Sequence, residues 1–147
     1  MYTKILVPTD GSQLSDRALR EAGQLARTLG ATLTLFYAAP AYRTPVATFE
    51  GSMVHNVMTP QRYRITMRAH ARRLLDAAAR KAGGTVTQRV CEFSDQPYEA
   101  IISAAKKNRC GLIVMASHGW RGLKGLLLGS ETHKVLTHSR IPVLVVR

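Results

Sequence analysis

Glycine recurs along one segment of the chain, residues 115–130, which reads MASHGWRGLKGLLLGS and follows an apolar run. Its four glycines stand at positions 119, 122, 125 and 129, and a serine follows the last one. A phosphate needs backbone N–H groups at close range, and glycine lets the backbone approach without a side chain in the way. A helix beginning at Ser130 would add unpaired amides and a positive dipole end. The spacing alone is equally typical of a plain connection between a strand and a helix.

The better-known phosphate and nucleophile motifs are absent from this segment. Lys124 is followed by Gly125, so the GxxxxGK[ST] pattern of a P-loop is missing, as is GxGxxG. Ser117 and His118 are adjacent, and we expect their side chains to point in different directions. With no evident acid to orient the histidine, the pair is a poor nucleophile and base.

Asp10, in Pro8-Thr9-Asp10 after the apolar run KILV, is a second candidate for chemistry. A carboxylate beside phosphates would repel them. Asp10 would therefore accept hydrogen bonds from ribose hydroxyls or hold a Mg²⁺ ion. The alternative is that Asp10 only helps Ser12 to cap the helix that follows.

The elements that must position these residues alternate between strand and helix. Apolar runs predict strands at 4–9, 31–39, 85–93, 111–116 and 142–146. Apolar residues at helical spacing predict helices from Ser12 to Gly30 and over 61–82, 97–108 and 130–138. Residues 40–61 hold three prolines and no clear period, which indicates a long loop. The pattern predicts an α/β fold in a single domain over 1–147, an open, doubly wound, five-stranded parallel sheet with helices on both faces.

Ligands of such sheets bind beyond the carboxyl ends of the strands, at the point where the strand order reverses. If the first and fourth strands are neighbours there, Asp10 and the glycine segment face each other across one crevice.

The charge of the chain is strongly positive. Lys and Arg number 21 against 9 acidic residues, a net charge of +12. Between positions 61 and 90, Asp76 is the only acid, and Arg64, Arg68 and Arg72 form a stripe at i, i+4 and i+8. The stripe either meets an acidic protein or another polyanion, or is simply a solvated face. Tyr63 is the only aromatic residue near it in sequence, which argues against sequence-specific nucleic-acid binding.

Two cysteines, Cys91 and Cys110, make no disulfide framework and predict a reducing, cytoplasmic location. No stretch approaches the roughly 18 apolar residues of a membrane span, so we expect no membrane association. The apolar core before Pro8 is too short for a secretory signal. The spacing of the histidines and cysteines predicts no structural metal site.

The chain resembles the universal stress proteins over essentially its full length. The correspondences are KILVPTDGS at the start, the long loop before the second helix, MASHGWRGLKGLLLGS, and the ending VLTHSRIPVLVV. The resemblance implies a Rossmann-like, adenine nucleotide alpha hydrolase-like fold. It also implies ATP or AMP as ligand and a nucleotide-linked role in the stress response, and a Mg²⁺ ion held by Asp10 would accompany the nucleotide. No residue is evident as a base aimed at the γ-phosphate, so any ATP hydrolysis should be slow. Since some members do not bind ATP, the alternative is an interaction module acting through its basic surface and dimer interface.

Nucleotide-binding members carry Gly, two residues, Gly, nine residues, then Gly followed by Ser or Thr. Gly119 and Gly129-Ser130 match this pattern, whereas Ala116 stands at the first glycine. If that glycine needs a positive φ, alanine costs about 1–2 kcal/mol, and if it only has to be small the cost is slight. By resemblance, the adenosine contacts are Pro8, Thr9, Asp10 and Ala38. The ribose and phosphate contacts are Met115, Ala116, His118, Gly119, Gly129 and Ser130.

The final strand, PVLVV at 142–146, is almost wholly apolar, and we expect it at a sheet edge because only Arg147 follows. An exposed apolar edge invites aggregation unless something pairs with it. Pairing about a two-fold axis predicts a homodimer, as the resemblance also implies. The alternative is that the 40–61 loop covers the edge.

Overall fold

The computed structural model describes residues 1–44, 58–83, 85–119 and 128–147. The middle of the predicted 40–61 loop, Gly84, and the segment that contains Gly122 and Gly125 lie outside the described residues. Strands and helices alternate in the order β1 (Lys4–Pro8), α1 (Gln13–Leu29), β2 (Thr32–Ala39), α2 (Pro60–Ala82), β3 (Val86–Phe93), α3 (Pro97–Lys107), β4 (Leu112–Ala116), α4 (Ser130–His138) and β5 (Val143–Val146).

The five strands form one parallel sheet in the order β3-β2-β1-β4-β5. The predicted five-stranded parallel sheet is confirmed, with β3 and β5 at its edges. From β1 the chain builds the sheet outward to one side through β2 and β3, and β4 and β5 extend it to the other. The reversal therefore falls between β1 and β4, where the sequence places its two candidate loops.

Helices cover both faces of the sheet because consecutive residues of the inner strands point to opposite sides. Ile5 and Val7 of β1 pack beneath α1 and α2, in a cluster that includes Leu19. Leu6, between them, packs on the other face beneath α3 and α4, in a cluster that includes Val135. All these side chains are fully buried, as the near-continuous apolar strands predict.

The helix ends follow local capping chemistry. Ser12 caps α1 by accepting a hydrogen bond from the Ser15 N–H at 3.2 Å, and Gly30, with φ of 64°, ends the helix. Helix α2 begins one residue earlier than predicted because Thr59 accepts from the Arg62 N–H at 3.2 Å and Pro60 takes the first helical position. None of the helices in the described ranges is long and apolar enough to cross a membrane.

Candidate functional site

The turn after β1 and the segment after β4 lie side by side at the carboxyl edge of the sheet. Strands β1 and β4 pair in parallel, Ile5 with Leu112 and Leu6 with Ile113. Beyond them, Gly119 comes so close to Asp10 that a β-carbon at position 119 would overlap the Asp10 Oδ2. Gly119 does not have a positive φ, so glycine serves here for close approach rather than for an unusual backbone conformation. The two predicted loops thus meet across one crevice.

Asp10 also organises the turn that precedes α1. Its Oδ1 accepts a hydrogen bond from the Ser12 N–H at 2.9 Å, while the Thr9 Oγ1 accepts from the Gly11 N–H at 3.2 Å. The Thr9 hydroxyl lies 3.1 Å from the Ser15 Oγ and is buried. Asp10 therefore does contribute to the start of α1, as the capping alternative predicts, while its Oδ2 faces Gly119.

Helix α4 is tied directly to the end of β4. The Gly129 N–H donates to the Ser117 carbonyl at 2.7 Å, and the Thr132 hydroxyl donates to the Ala116 carbonyl at 2.9 Å. A β-carbon at Gly129 would lie 3.2 Å from the Ser117 oxygen, so this glycine too permits close packing. Because its amide is already bonded, the amides that could meet an anion begin at Ser130. The sequence analysis did not identify Thr132 as a residue that joins α4 to β4. The only sequence signal for this role is that Thr132 has a hydroxyl and lies in the first helical turn after Gly129-Ser130.

The acid in the first turn of α4 serves another helix. Glu131 Oε2 accepts from the Tyr98 N–H at 2.9 Å, and Oε1 pairs with the Lys134 Nζ at 3.1 Å. The carboxylate thereby caps α3, whose own N-cap residue makes no side-chain cap bond. No side chain of the described residues caps α4. The acid in its first turn is Glu131, whose carboxylate bonds to Tyr98 of α3 and to Lys134.

The remaining predicted site residues lie at the strand ends around the crevice. Ala116 ends β4, is buried, and has no positive φ. Met115 is 6% exposed and packs in the core beneath α3 and α4, so its side chain is already occupied there. Pro8 ends β1 opposite Phe36, and Ala38 lies two residues further along β2, half-buried.

Ser117 and His118 do contact each other, contrary to the expectation that their side chains diverge. The His118 Nδ1 lies 3.1 Å from the Ser117 Oγ. The His118 Nε2 is buried and finds no hydrogen-bond partner among the described residues. Ser117 is 3% exposed. Within the described part of the chain, no carboxylate bonds to the Nε2 of this histidine to orient it. Together with the burial of the Ser117 hydroxyl, this gives no support to nucleophilic chemistry.

A cavity of about 470 Å³ opens beside Asp10, between the β1–α1 turn and helix α2. Its wall contains titratable groups that the sequence did not single out for this place: Asp16, His70, Arg73 and Lys81. The Lys81 Nζ pairs with the Asp16 Oδ2 at 2.6 Å, joining the two helices. Below them the Tyr37 ring meets the His70 ring edge-on at 5.9 Å. Burial raises the pKa of Tyr37, and the nearby Asp10 charge adds a smaller part.

Metal ligands are sparse around the crevice. Over residues 1–44, 58–83, 85–119 and 128–147, no group of three or more His, Cys, Asp or Glu side chains could hold a metal ion. A Mg²⁺ ion held here would therefore need ligands from a bound phosphate beside the Asp10 carboxylate, the usual arrangement for magnesium with nucleotides.

Comparisons with known proteins agree with one another. The sequence model of the universal stress protein family matches residues 1–147. Universal stress protein YxiE of Bacillus subtilis is 34% identical over 152 residues, covering 100% of both chains. A crystal structure from the same family in Burkholderia pseudomallei is 28% identical, with a TM-score of 0.71, over 99% of this chain and 96% of that one. A universal stress protein in complex with cAMP is 27% identical, with a TM-score of 0.64, over 99% and 97%. The chain therefore belongs to the universal stress protein family.

Proposed function

We propose that this protein binds an adenine nucleotide, ATP or AMP, between the β1–α1 turn and the β4–α4 connection, and that the nucleotide regulates its action in the stress response. The observation that carries the proposal is the approach of Gly119 to Asp10. It brings a carboxylate to the same crevice as a helix N-terminus that no described side chain caps. Carboxylates accept from ribose hydroxyls, and helix N-termini bind phosphates.

The residues divide between the two ends of the ligand. Pro8, Thr9 and Ala38 border the adenosine end, and the Asp10 carboxylate accepts from the ribose hydroxyls or binds the Mg²⁺ that accompanies the phosphates. At the other end, Ser130 offers its exposed hydroxyl and the first open amide of α4. The backbone from Met115 to Gly119, which includes Ala116 and His118, lies between them. Gly129 contributes by bringing the helix close rather than by its own amide.

The comparison with solved structures supports an adenine ligand. A related universal stress protein, 27% identical over 99% of this chain, binds cAMP. Cyclic AMP shares its base and its ribose with ATP and AMP, and its phosphate carries the same kind of anionic oxygens. The crevice has a carboxylate at one end and helix amides at the other. These groups can bind the ribose hydroxyl and the anionic phosphate oxygens that cAMP, AMP and ATP have in common.

The proposed role is regulatory rather than enzymatic. Ser117 is buried, and so is the Nε2 of its neighbour His118, so this pair is not exposed as a nucleophile or base. Bound nucleotide would instead change the surface that a cytoplasmic homodimer, joined through β5, offers to partners. The free thiols of Cys91 and Cys110 are consistent with a reducing compartment.

The proposal is tested by the nucleotide that the protein retains. The protein is purified without added nucleotide, denatured, and the supernatant is analysed by absorbance and mass spectrometry. We expect adenine nucleotide in the wild type and much less in Asp10→Ala, because the ribose contact is lost. Arg17→Gln, an exposed change outside the crevice, is the control. Equal retention by wild type and Asp10→Ala would contradict the proposed site, as would a wild type that neither retains nor takes up adenine nucleotide.

A further inference from the structure

One face of the molecule, formed by α2 and the edge strand β3, carries four exposed arginines, of which only Arg89 forms an ion pair among the described residues. Arg64, Arg68 and Arg72 of α2 are exposed, and the neighbouring edge strand β3 adds the exposed Arg89. We call these four residues the basic strip. Its three helix positions span roughly 12 Å at the 1.5 Å rise of an α-helix.

Charge on the basic strip is barely compensated. The Arg89 Nε pairs with the Asp76 Oδ1 at 3.1 Å, with both side chains nearly half exposed. Among the described residues, Arg64, Arg68 and Arg72 form no ion pair. Like charges four residues apart on a helix repel each other, so an external polyanion would relieve a cost that the fold leaves in place.

Aromatic rings continue the strip at the carboxyl end of β3. The Arg68 guanidinium lies over the Phe93 ring, 5.7 Å from its centroid. Tyr63 lies 6.4 Å from Phe93, and Tyr42 lies 5.4 Å from Tyr63. All three rings are half-buried, so each keeps part of its surface in solvent. The sequence showed only Tyr63 beside the arginines, because folding is what brings Tyr42 and Phe93 to it.

The two tyrosine rings are held by their own hydrogen bonds. Tyr63 donates its hydroxyl to the Pro40 carbonyl at 2.9 Å, and Tyr42 donates to the Met58 carbonyl at 2.8 Å. Anchored rings lose little freedom when a ligand stacks on them, so binding there costs less conformational entropy.

The geometry points to single-stranded nucleic acid as the partner, and we propose that the basic strip with Tyr42, Tyr63 and Phe93 binds it without sequence preference. Arginines along a strip neutralise successive phosphates, and aromatic rings and guanidinium planes stack on unpaired bases. An acidic protein would pair its carboxylates with the arginines, but its carboxylates would not stack on the aromatic rings. A duplex keeps its bases stacked inside, out of reach of the rings. The exposed Ile65, beside the strip on α2, adds an apolar surface for a base or sugar.

The first test compares two variants that lose the same charge. Arg64→Gln/Arg68→Gln/Arg72→Gln removes the helix part of the strip, and Arg17→Gln/Arg20→Gln/Lys106→Gln removes three exposed cations on other helices. Fluorescence anisotropy with labelled oligouridylate and oligoadenylate of about 12 nucleotides measures binding. We expect the strip variant to bind the oligonucleotides at least about tenfold more weakly than the wild type. The slope of its log affinity against log salt concentration should be shallower by about two. The affinity of the control variant should stay within about twofold of the wild type. Equal losses in both variants would overturn the proposal.

The second test separates nucleic acid from other polyanions. Phe93→Leu should weaken oligonucleotide binding about fivefold or more while leaving inorganic polyphosphate binding unchanged, because only bases stack on the ring. A glutamate peptide, phosphatidylserine vesicles and duplex of the same length should each bind more weakly than the single strand. Tighter binding by any of them would overturn this choice of partner. Saturating ATP should not displace the oligonucleotide, and displacement would place the oligonucleotide in the nucleotide crevice instead.

Discussion

The carboxylate of Asp10 lies against Gly119, so closely that a β-carbon at position 119 would overlap the Oδ2 atom. The same carboxylate holds the turn before α1 through the Ser12 N–H at 2.9 Å. One side chain thus links the turn after β1 to the segment after β4. Any shift of Asp10 would alter both the start of α1 and the width of the crevice.

Gly119→Ala should lower the free energy of unfolding by about 0.5–1.5 kcal/mol, the usual contribution of one hydrogen bond, because the displaced Asp10 carboxylate would weaken its bond to the Ser12 N–H. Since Gly119 lacks a positive φ, the cost should come from the overlap with Asp10 alone. The double variant Asp10→Ala/Gly119→Ala should therefore lose much less than the sum of the two single changes. Urea denaturation of the four proteins measures this coupling, and strictly additive losses would show that the contact is not the cause.

Ala116→Gly should leave nucleotide affinity within about twofold, well short of the tenfold that 1.4 kcal/mol of relieved strain would give. Ala116 ends β4 without a positive φ. A glycine at this position would therefore relieve no backbone strain, contrary to the interpretation that a positive φ is needed there. The substitution should cost about 0.5–1 kcal/mol of stability, because glycine loses more freedom on folding. Calorimetry with ATP checks the affinity. Markedly tighter binding would show that the methyl group itself obstructs the ligand.

Val145→Pro should give a monomer, if β5 pairs across a two-fold axis as proposed. The Pro142 and Val146 carbonyls accept from the Ile113 and Ser117 N–H groups of the β4 side. In a strand these directions alternate, so residue 145 points its N–H outward, to the open edge. Proline removes that donor without touching the bonds to β4.

Val145→Thr keeps the N–H group and is the matched control, expected to remain dimeric. Light scattering with multi-angle detection gives the mass of each variant. Both changes leave Val143 in place, which packs against the core beneath α3 and α4. A dimeric Val145→Pro would move the interface away from β5.

Stability should fall as the pH rises above 9. Burial raises the pKa of Cys91 and of Cys110 above the ordinary 9.0, although the Arg68 charge partly opposes it at Cys91. As the pH rises, the thiols therefore ionise in the unfolded chain before they ionise in the folded protein. The folded state has its full stability below about pH 9 and loses stability as the pH rises through the folded-state pKa of the thiols. Cys91→Ala should lose less stability than the wild type between about pH 8 and about pH 10. Equal losses would mean that the Cys91 thiol contributes nothing to this pH dependence. In Arg68→Gln, peptide-resolved alkylation should show Cys91 ionising at still higher pH.

Local sequence signals predicted the fold well, and for identifiable reasons. Apolar runs such as ILV in β1 must be buried on both faces, which only a covered parallel sheet allows. Capping residues such as Ser12 and Gly30 form hydrogen bonds with residues only three or four positions away. A short stretch of sequence therefore contains both the donor and the acceptor of each capping bond. Helix α2 starts one residue before the predicted Gln61, because Thr59 caps the helix and Pro60 takes its first position.

The candidate site was less predictable, because its contacts join residues far apart in the chain. The bond from Thr132 to Ala116 and the cap that Glu131 provides for α3 depend on how α4 docks against the sheet. The cavity beside Asp10 depends on how α2 packs on α1. No spacing rule within one segment reveals such contacts. The single-domain organisation, the site residues and the dimer stay predictions.

The most direct test of the nucleotide site is calorimetric titration of ATP into three nucleotide-free proteins: the wild type, Gly119→Ala and Gly111→Ala. Gly111 also lacks a positive φ, and a β-carbon there would make only ordinary contact with Tyr2 at 3.4 Å. The two variants therefore add the same methyl group, one inside the crevice and one outside it. We predict measurable ATP binding in the wild type and Gly111→Ala, and binding at least about tenfold weaker in Gly119→Ala, a loss of about 1.4 kcal/mol. Unchanged affinity in a folded Gly119→Ala protein, or a wild type that binds no ATP or AMP, would contradict the account.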